Sequence, residues 1–314
     1  MSERIAALDA SLGDLLQRDV LLGPLTTYRV GGPARRFVLV DGEDSLRRVA
    51  EAVAGSGVDV LVVGKGSNLL VADRGFDGLA IQLGPSFAEI TIEDETVRAG
   101  GAASLPVVAR QTAAAALTGF EWAVGVPGSI GGAVRMNAGG HGSDMSANLV
   151  RVRVVDLAGG EDGEVPAASL DLAYRSSCLT ASQVVVRADL RLERGDRVDS
   201  EAQISEIVRW RRANQPGGQN AGSVFTNPAG DSAGRLVDAA GVKGMRIGTA
   251  EVSPKHANFI QADDGGSADD VRNLMEAVAA RVWDVHGVDL HPETRMVGFP
   301  PWPGRGDPTE GSNG

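Results

Sequence analysis

A single cysteine, Cys178, stands in the 314 residues. That excludes an internal disulfide and CxxC metal sites, and it fits a reducing compartment. Lysine is almost as scarce: Lys65, Lys243 and Lys255 are the three among 30 basic residues, and arginine supplies the rest. Either a biased composition produces this, or a compact ammonium is wanted beside an anion at those places. Acidic residues outnumber basic ones 41 to 30, giving a net charge of −11. The basic footprint of a general nucleic-acid binder is therefore missing, so no nucleic-acid partner is expected. No run approaches the ~18 apolar residues of a membrane span. Glu3, Asp9 and Asp14 interrupt the place where a signal peptide would carry its apolar core. A soluble, cytoplasmic chain without membrane insertion is expected. The four histidines (His141, His256, His286, His291) show no HExxH or similar spacing, so no metal site is expected.

What the chain does have is glycine, 42 residues of it. Seven fall between positions 125 and 142, in Gly-Val-Pro-Gly-Ser-Ile-Gly-Gly-Ala-Val-Arg-Met-Asn-Ala-Gly-Gly-His-Gly. Such a loop lets backbone N–H groups close on phosphate oxygens. The spacing is neither a P-loop nor a GxGxxG turn. A smaller cradle, Gly64-Lys65-Gly66-Ser67-Asn68, lies upstream. Two separated cradles suit an extended ligand with a central pyrophosphate, as in a dinucleotide.

Hydrophobic periodicity supplies the frame. Ile5, Leu8, Leu12 and Leu15 follow helical spacing. Residues 36–40 read as a strand, 44–55 as a helix and 58–63 as a buried strand, a small α/β unit. Short strands follow at 79–83, 89–92 and 96–99, then a helix over 105–118 with Ser104 as N-cap. Residues 149–157 and 184–192 read as strands, and the charged stretch 193–201 as a boundary. Helices are predicted near 201–213, with Ile204, Ile207 and Val208 inward, and at 233–240, stopped by Gly241. The clearest helix runs over 267–286. A Ser267–Asp270 capping box opens it, Val271, Leu274, Val278, Val282 and Val285 form its stripe, and Gly287 ends it. The tail, 301–314, is Pro/Gly-rich and expected to be disordered.

Four polar segments complete the reading. They are Tyr174-Arg175-Ser176-Ser177, the run 221–228 with Ser223 after a glycine, His291 to Arg295, and Val252 to Ile260. The last packs four polar side chains before an apolar pair and reads as a strand edge facing a ligand.

In this order, Thr27 to Ala34, Gly64 to Leu70, Gly125 to Gly140 and the four polar segments resemble the bacterial UDP-N-acetylenolpyruvoylglucosamine reductases. The similarity covers roughly residues 20–299. It implies an α+β protein with the vanillyl-alcohol oxidase-type FAD fold in two units, 1–78 and 79–196, and a substrate-binding domain at 197–300. It also implies that NADPH reduces the flavin and departs. Hydride then passes to the vinyl CH2 of UDP-N-acetylglucosamine enolpyruvate, a proton is added at the neighbouring carbon, and the product is UDP-N-acetylmuramate, a cell-wall precursor. On matching positions, Arg175 and Glu293 stabilise the charge building on the conjugated carboxylate, and Ser223 supplies the proton. FAD contacts fall to Tyr28, Arg29, Gly64, Lys65, Gly66, Ser67, Asn68 and Leu69. They continue at Val126, Pro127, Gly128, Ser129, Gly132, Ala133, Asn137 and Gly139. Substrate contacts fall to Tyr174, Asn227, Lys255, His256 and Asn258.

Three features depart from the family pattern or refine it. Asn214 stands where the family often has lysine, which leaves substrate phosphate to Arg211, Arg212, Lys243 or Lys255. The chain has no insertion with a covering tyrosine, as in the shorter type II subgroup. The first cradle ends in Ser67-Asn68 and offers no attaching histidine, so FAD is expected to be non-covalent. A monomer is expected. The alternatives are an FAD-dependent sugar or alcohol oxidase of the same fold, a paralogue with another nucleotide sugar, and a non-catalytic flavin or nucleotide-sugar binder. An oxidase has no need of the Arg175, Ser223 and Glu293 set.

Overall fold

The computed structural model describes residues 2–304, which fall into two compact units. Of the described residues, one gathers 2–20, 34–65 and 77–211; the other gathers 21–33, 66–76 and 212–304.

The first unit is built on two sheets. A four-stranded sheet has the order Gln17–Leu21, Pro33–Val40, Phe76–Leu83, Val60–Val62. Val60–Val62 runs parallel to Phe76–Leu83, with Val60 opposite Leu79. The helix Glu43–Val53 buries Leu46, Val49 and Val53, the predicted face. The second sheet has five strands, ordered Asp162–Pro166, Leu149–Asp156, Gln183–Arg191, Thr96–Gly100, Ile90–Glu93, all antiparallel. Its strand Gln183–Arg191 is buried along most of its length because it feeds two cores. Val184 and Val186 join one core with Val38, Leu79 and Ile81. Val185, Ala188 and Leu190 join the other with Leu105, Phe120 and Ile130. Glu121 is buried in this unit, where it accepts hydrogen bonds from Ser200 Oγ (2.6 Å) and the Gly119 N–H (2.8 Å).

Several local expectations change. The helix predicted over 105–118 is Leu105–Ala114, because Ala116 turns left-handed (φ 56°) and Leu117–Thr118 is a strand. Ser104 is its N-cap residue, but its side chain makes no capping bond. The helix predicted from 201 begins at Arg197, and the charged stretch before it contains the strand Glu193–Arg194.

The second unit packs the helices Ala233–Ala239 and Ala268–His286 with an antiparallel sheet, ordered Arg246–Ile247, Ala250–Val252, Ile260–Ala262. Val252–Ile260 is thus a hairpin with its turn at 253–259, and not one strand edge. The capping box on the long helix is half made. Ser267 Oγ accepts from the Asp270 N–H (3.1 Å), but the Asp270 carboxylate turns instead to the Thr249 N–H and hydroxyl (both 2.8 Å). Asp73 supplies the missing capping, accepting from Ser267 Oγ and from the N–H groups of Ala268 (3.0 Å) and Asp269 (3.2 Å). Val285 leaves the apolar stripe and is exposed. Gly287 closes the helix at φ 65°. The strand Arg295–Val297 pairs in parallel with Leu69–Val71. Residues 301–304 are not loose: the Trp302 indole donates to Leu290 O (3.1 Å), and its ring lies 4.4 Å from the Arg272 guanidinium carbon. The rest of the predicted disordered tail, 305–314, lies outside the described residues. Among the described residues no helix is long and apolar enough to cross a membrane.

Candidate functional site

In the first unit the two glycine segments meet. A Cβ on Gly64 would come 2.6 Å from Ser129 Oγ, so the close approach needs glycine. Ser129 also accepts from the Gly132 N–H (3.4 Å) at the start of the short helix Ile130–Arg135. Val126, Pro127, Gly128, Ala133 and Gly139 complete this loop. The Leu105 N–H donates to Gly128 O (3.0 Å), and Gly139–Gly140 pairs with Ser143–Asp144. Lys65, the second residue of the first cradle, is exposed.

Asn137 is buried and held at φ 38°. Its amide donates to Ala173 O (3.0 Å) and Asp144 Oδ2 (3.3 Å), and accepts from the Ser146 N–H (3.0 Å). It therefore ties the large loop to the turn that carries Arg175. That turn is closed by reciprocal bonds between Ala173 and Ser176 (3.1 Å each), with Arg175 at φ 55°. Ser177 Oγ donates to Arg135 O (2.7 Å), a second tie to the same loop. The Arg175 guanidinium carbon lies 5.4 Å from the centroid of the exposed Tyr174 ring.

The second unit carries Ser223 and Glu293. The segment 224–226 is held along two edges. On one, the Glu293 N–H donates to Val224 O (2.9 Å) and the Thr226 N–H to His291 O (3.0 Å). On the other, the Val224 N–H donates to Asn258 O (2.9 Å), while the Asn258 amide accepts from the Phe225 N–H (3.0 Å) and donates to Phe225 O (2.9 Å). Ser223 is half-buried at the head of this segment, after Gly222 at φ 78°. Asn68 Nδ2 donates to Glu293 O (3.1 Å), and the Arg295 N–H donates to Asn68 O (3.1 Å). Asn68, Glu293, Val224, Phe225 and Asn258 are thereby joined in one hydrogen-bond network, which Ser223 directly precedes in the chain.

Other expected residues of this unit lie elsewhere. Tyr28 is fully buried in the core with Ala221, Val224 and Phe225, and burial pushes its phenol pKa up. Arg29 is exposed at φ 55°. The Asn227 side chain accepts from the Ala233 N–H (3.1 Å) at the start of a helix. Lys255 Nζ donates to Arg212 O (2.5 Å), and Lys243 Nζ pairs with Asp238 (2.7 Å). His256 Nδ1 accepts from the Asn258 N–H (3.3 Å), and burial holds its pKa below the usual imidazole value. Arg175 belongs to the first unit, Ser223 and Glu293 to the second.

Three residues lie in segments that the sequence singles out but receive no role from it. The Thr27 and Thr294 hydroxyls are buried and have no hydrogen-bond partner among the described residues. Both adjoin the 66–68 segment, through the Thr27 N–H to Gly66 O (3.2 Å) and the Arg295 N–H to Asn68 O. Burial also lowers the pKa of the Arg295 guanidinium. Threonine beside a tyrosine or a glutamate carries no local signal of such an orphaned hydroxyl.

Residues 34–162 match the FAD binding domain family, and residues 214–297 match the family described as UDP-N-acetylenolpyruvoylglucosamine reductase, C-terminal domain. The chain is 43% identical over 280 residues to the UDP-N-acetylenolpyruvoylglucosamine reductase of Heliobacterium modesticaldum, covering 87% of this chain and 88% of that one. It is 38% identical over 279 residues to the Bacillus subtilis enzyme of the same name, covering 87% and 91%. The crystal structure of the Thermus caldophilus reductase superposes with a TM-score of 0.78 at 34% identity, covering 90% of this chain and 98% of that one. The α+β architecture expected from the sequence agrees with this likeness. A flavin suits the residues present: a ligand with its own donors and acceptors satisfies orphaned hydroxyls such as those of Thr27 and Thr294. The chain belongs to the family of UDP-N-acetylenolpyruvoylglucosamine reductases.

Proposed function

We propose that this chain reduces the enolpyruvyl group of UDP-N-acetylglucosamine enolpyruvate to give UDP-N-acetylmuramate, with NADPH as hydride donor and non-covalent FAD as carrier. Thr27, Ser67, Asn68 and Thr294 would hold the cofactor together with the Gly64 and Ser129 loops. When bound there, FAD would supply the hydride-transfer chemistry that links NADPH to the vinyl CH2 carbon. The chain's own residues manage charge and proton. Negative charge builds on the substrate carboxylate, where Arg175 serves as a bidentate clamp. Glu293 assists as a protonated acid or through a bridging donor, since a bare carboxylate would repel that charge. Ser223 delivers the proton to the carbon next to the new CH3 group. A serine hydroxyl is a weak acid, so its placement and a relay to solvent matter more than its intrinsic acidity.

The observation that carries this reading within the molecule is the Glu293 N–H to Val224 O bond (2.9 Å), which sets the Ser223 and Glu293 segments side by side. The test is an anaerobic flavin titration of the FAD-loaded protein. NADPH should bleach the visible band, and the enolpyruvyl nucleotide sugar should restore it. Bleaching without recovery would move the substrate elsewhere; no flavin spectrum after adding FAD would refute the cofactor assignment.

A further inference from the structure

We infer that Asn258 is the positioning residue that fixes Ser223 against Glu293, and that it acts on the proton-delivery step and not as a ligand of the substrate. The inference rests on the functional reading above.

Asn258 is 3% exposed. Both functional ends of its amide are spent on one residue, accepting from the Phe225 N–H (3.0 Å) and donating to Phe225 O (2.9 Å). Its own carbonyl accepts from the Val224 N–H (2.9 Å). The side chain thus does what the next strand's backbone would do in a sheet, satisfying both polar groups of a residue that is itself 1% exposed. Across the same segment, Val224 O takes the Glu293 N–H, and Phe225 bridges to Pro292. The two residues after Ser223 are therefore clamped between Asn258 and the Glu293 strand. On the other side of Ser223 lies Gly222, at φ 78° with its N–H held by Asn220 Oδ1 (3.1 Å). The Ser223 hydroxyl rests on one flexible neighbour and one rigid one, and Asn258 sets the rigid one.

A misplacement near 1 Å in a reacting group can cost about 10²-fold in rate. Removing the amide leaves the Phe225 N–H and C=O buried without partners, so the segment must move to recover bonds. Asn258→Ala removes both bonds. Asn258→Asp keeps the volume and the acceptor for the Phe225 N–H but sets an oxygen against Phe225 O. The two variants, Ser223→Ala and the double variant Ser223→Ala/Asn258→Ala are loaded with FAD and studied by anaerobic stopped flow, one half-reaction at a time.

Flavin reduction by NADPH should keep its wild-type rate in both Asn258 variants. Reoxidation by the enolpyruvyl nucleotide sugar should slow by about 10- to 100-fold, with the substrate concentration for half-maximal rate unchanged. In the Ser223→Ala background the Asn258→Ala change should add less than about 2-fold, because two residues acting through one hydroxyl are not additive. Reoxidation at the wild-type rate in either folded variant would overturn the inference. So would a loss shared by both half-reactions, a weakened substrate affinity, or a multiplied loss in the double variant. A wild-type protein that the enolpyruvyl sugar fails to reoxidise would refute the functional reading itself and the inference with it.

Discussion

Substituting Gly66 tests whether the first cradle is a packing requirement. Gly66 sits at φ +60°, and a Cβ there would fall onto the Leu25 carbonyl and 2.5 Å from Thr26 Cα. Carbon atoms prefer separations of about 3.5 Å or more, so Gly66→Ala must push residues 25–26 away by about 1 Å. The left-handed conformation costs an alanine about 1 kcal/mol. Overpacking against backbone adds about 1–3 kcal/mol. Losing the Thr27 N–H to Gly66 O bond adds about 1 kcal/mol more. The total is about 3–5 kcal/mol. Gly57 provides the control: its φ is +71°, but nothing lies within 4 Å of its would-be Cβ. Gly57→Ala should lose only the conformational part, about 1 kcal/mol. The assay is urea unfolding of both variants by circular dichroism, with FAD affinity read from flavin fluorescence. Gly66→Ala should also bind FAD at least 10-fold more weakly, since Thr27 moves with the displaced segment. Equal losses in the two variants, or unchanged FAD affinity in Gly66→Ala, would refute the reasoning.

Three further outcomes follow from the geometry. Ser223→Ala should leave flavin reduction intact and slow reoxidation by the substrate about 10²–10⁴-fold, the usual span for a general acid, as read by stopped flow. Asp73→Ala should destabilise the protein by about 1–2 kcal/mol in urea, and Asp73→Asn by less, because the amide oxygen still accepts from the helix N-terminus; equal effects would show that the capping acceptor is not what Asp73 contributes. Burial alone would raise the pKa of Glu121, but the hydrogen bonds from Ser200 and Gly119 outweigh it and hold the carboxyl below its ordinary 4.5. The stabilisation from Glu121 is therefore present above 4.5 and lost as pH falls through the lower folded value. Ser200→Ala should cost about 1–2 kcal/mol at neutral pH, with the gap to wild type narrowing in acid; a gap independent of pH would contradict the assignment.

Elements with strong local patterns were legible. Valine-rich runs located the strands Leu149–Asp156 and Gln183–Arg191, and the long helix announced itself through Ser267, its apolar stripe and Gly287. What failed locally failed for physical reasons. Asp270 was a sound capping-box partner by spacing, but Thr249 offered two donors and Asp73 took over the helix end from far along the chain. The pairing of Leu69–Val71 with Arg295–Val297 leaves no mark in either segment, since parallel partners need no shared turn. Asn258 stood out in the sequence, but its polar residue type speaks equally for binding a ligand and for clamping Phe225, and only three-dimensional placement separates these. Trp302 sat in a Pro/Gly-rich stretch whose composition hid its anchor on Arg272 and Leu290.

The bond between Asn68 and Glu293 joins residues 225 positions apart. On a ribosome adding about 5–20 residues per second, Asn68 emerges roughly 10–45 s before its partner exists. During that interval Leu69, Leu70 and Val71, all buried in the finished protein, have no strand to pair with. The newborn chain thus carries an apolar, edge-like segment through most of its own synthesis, and any chaperone that shields this protein should recognise residues 66–76 first.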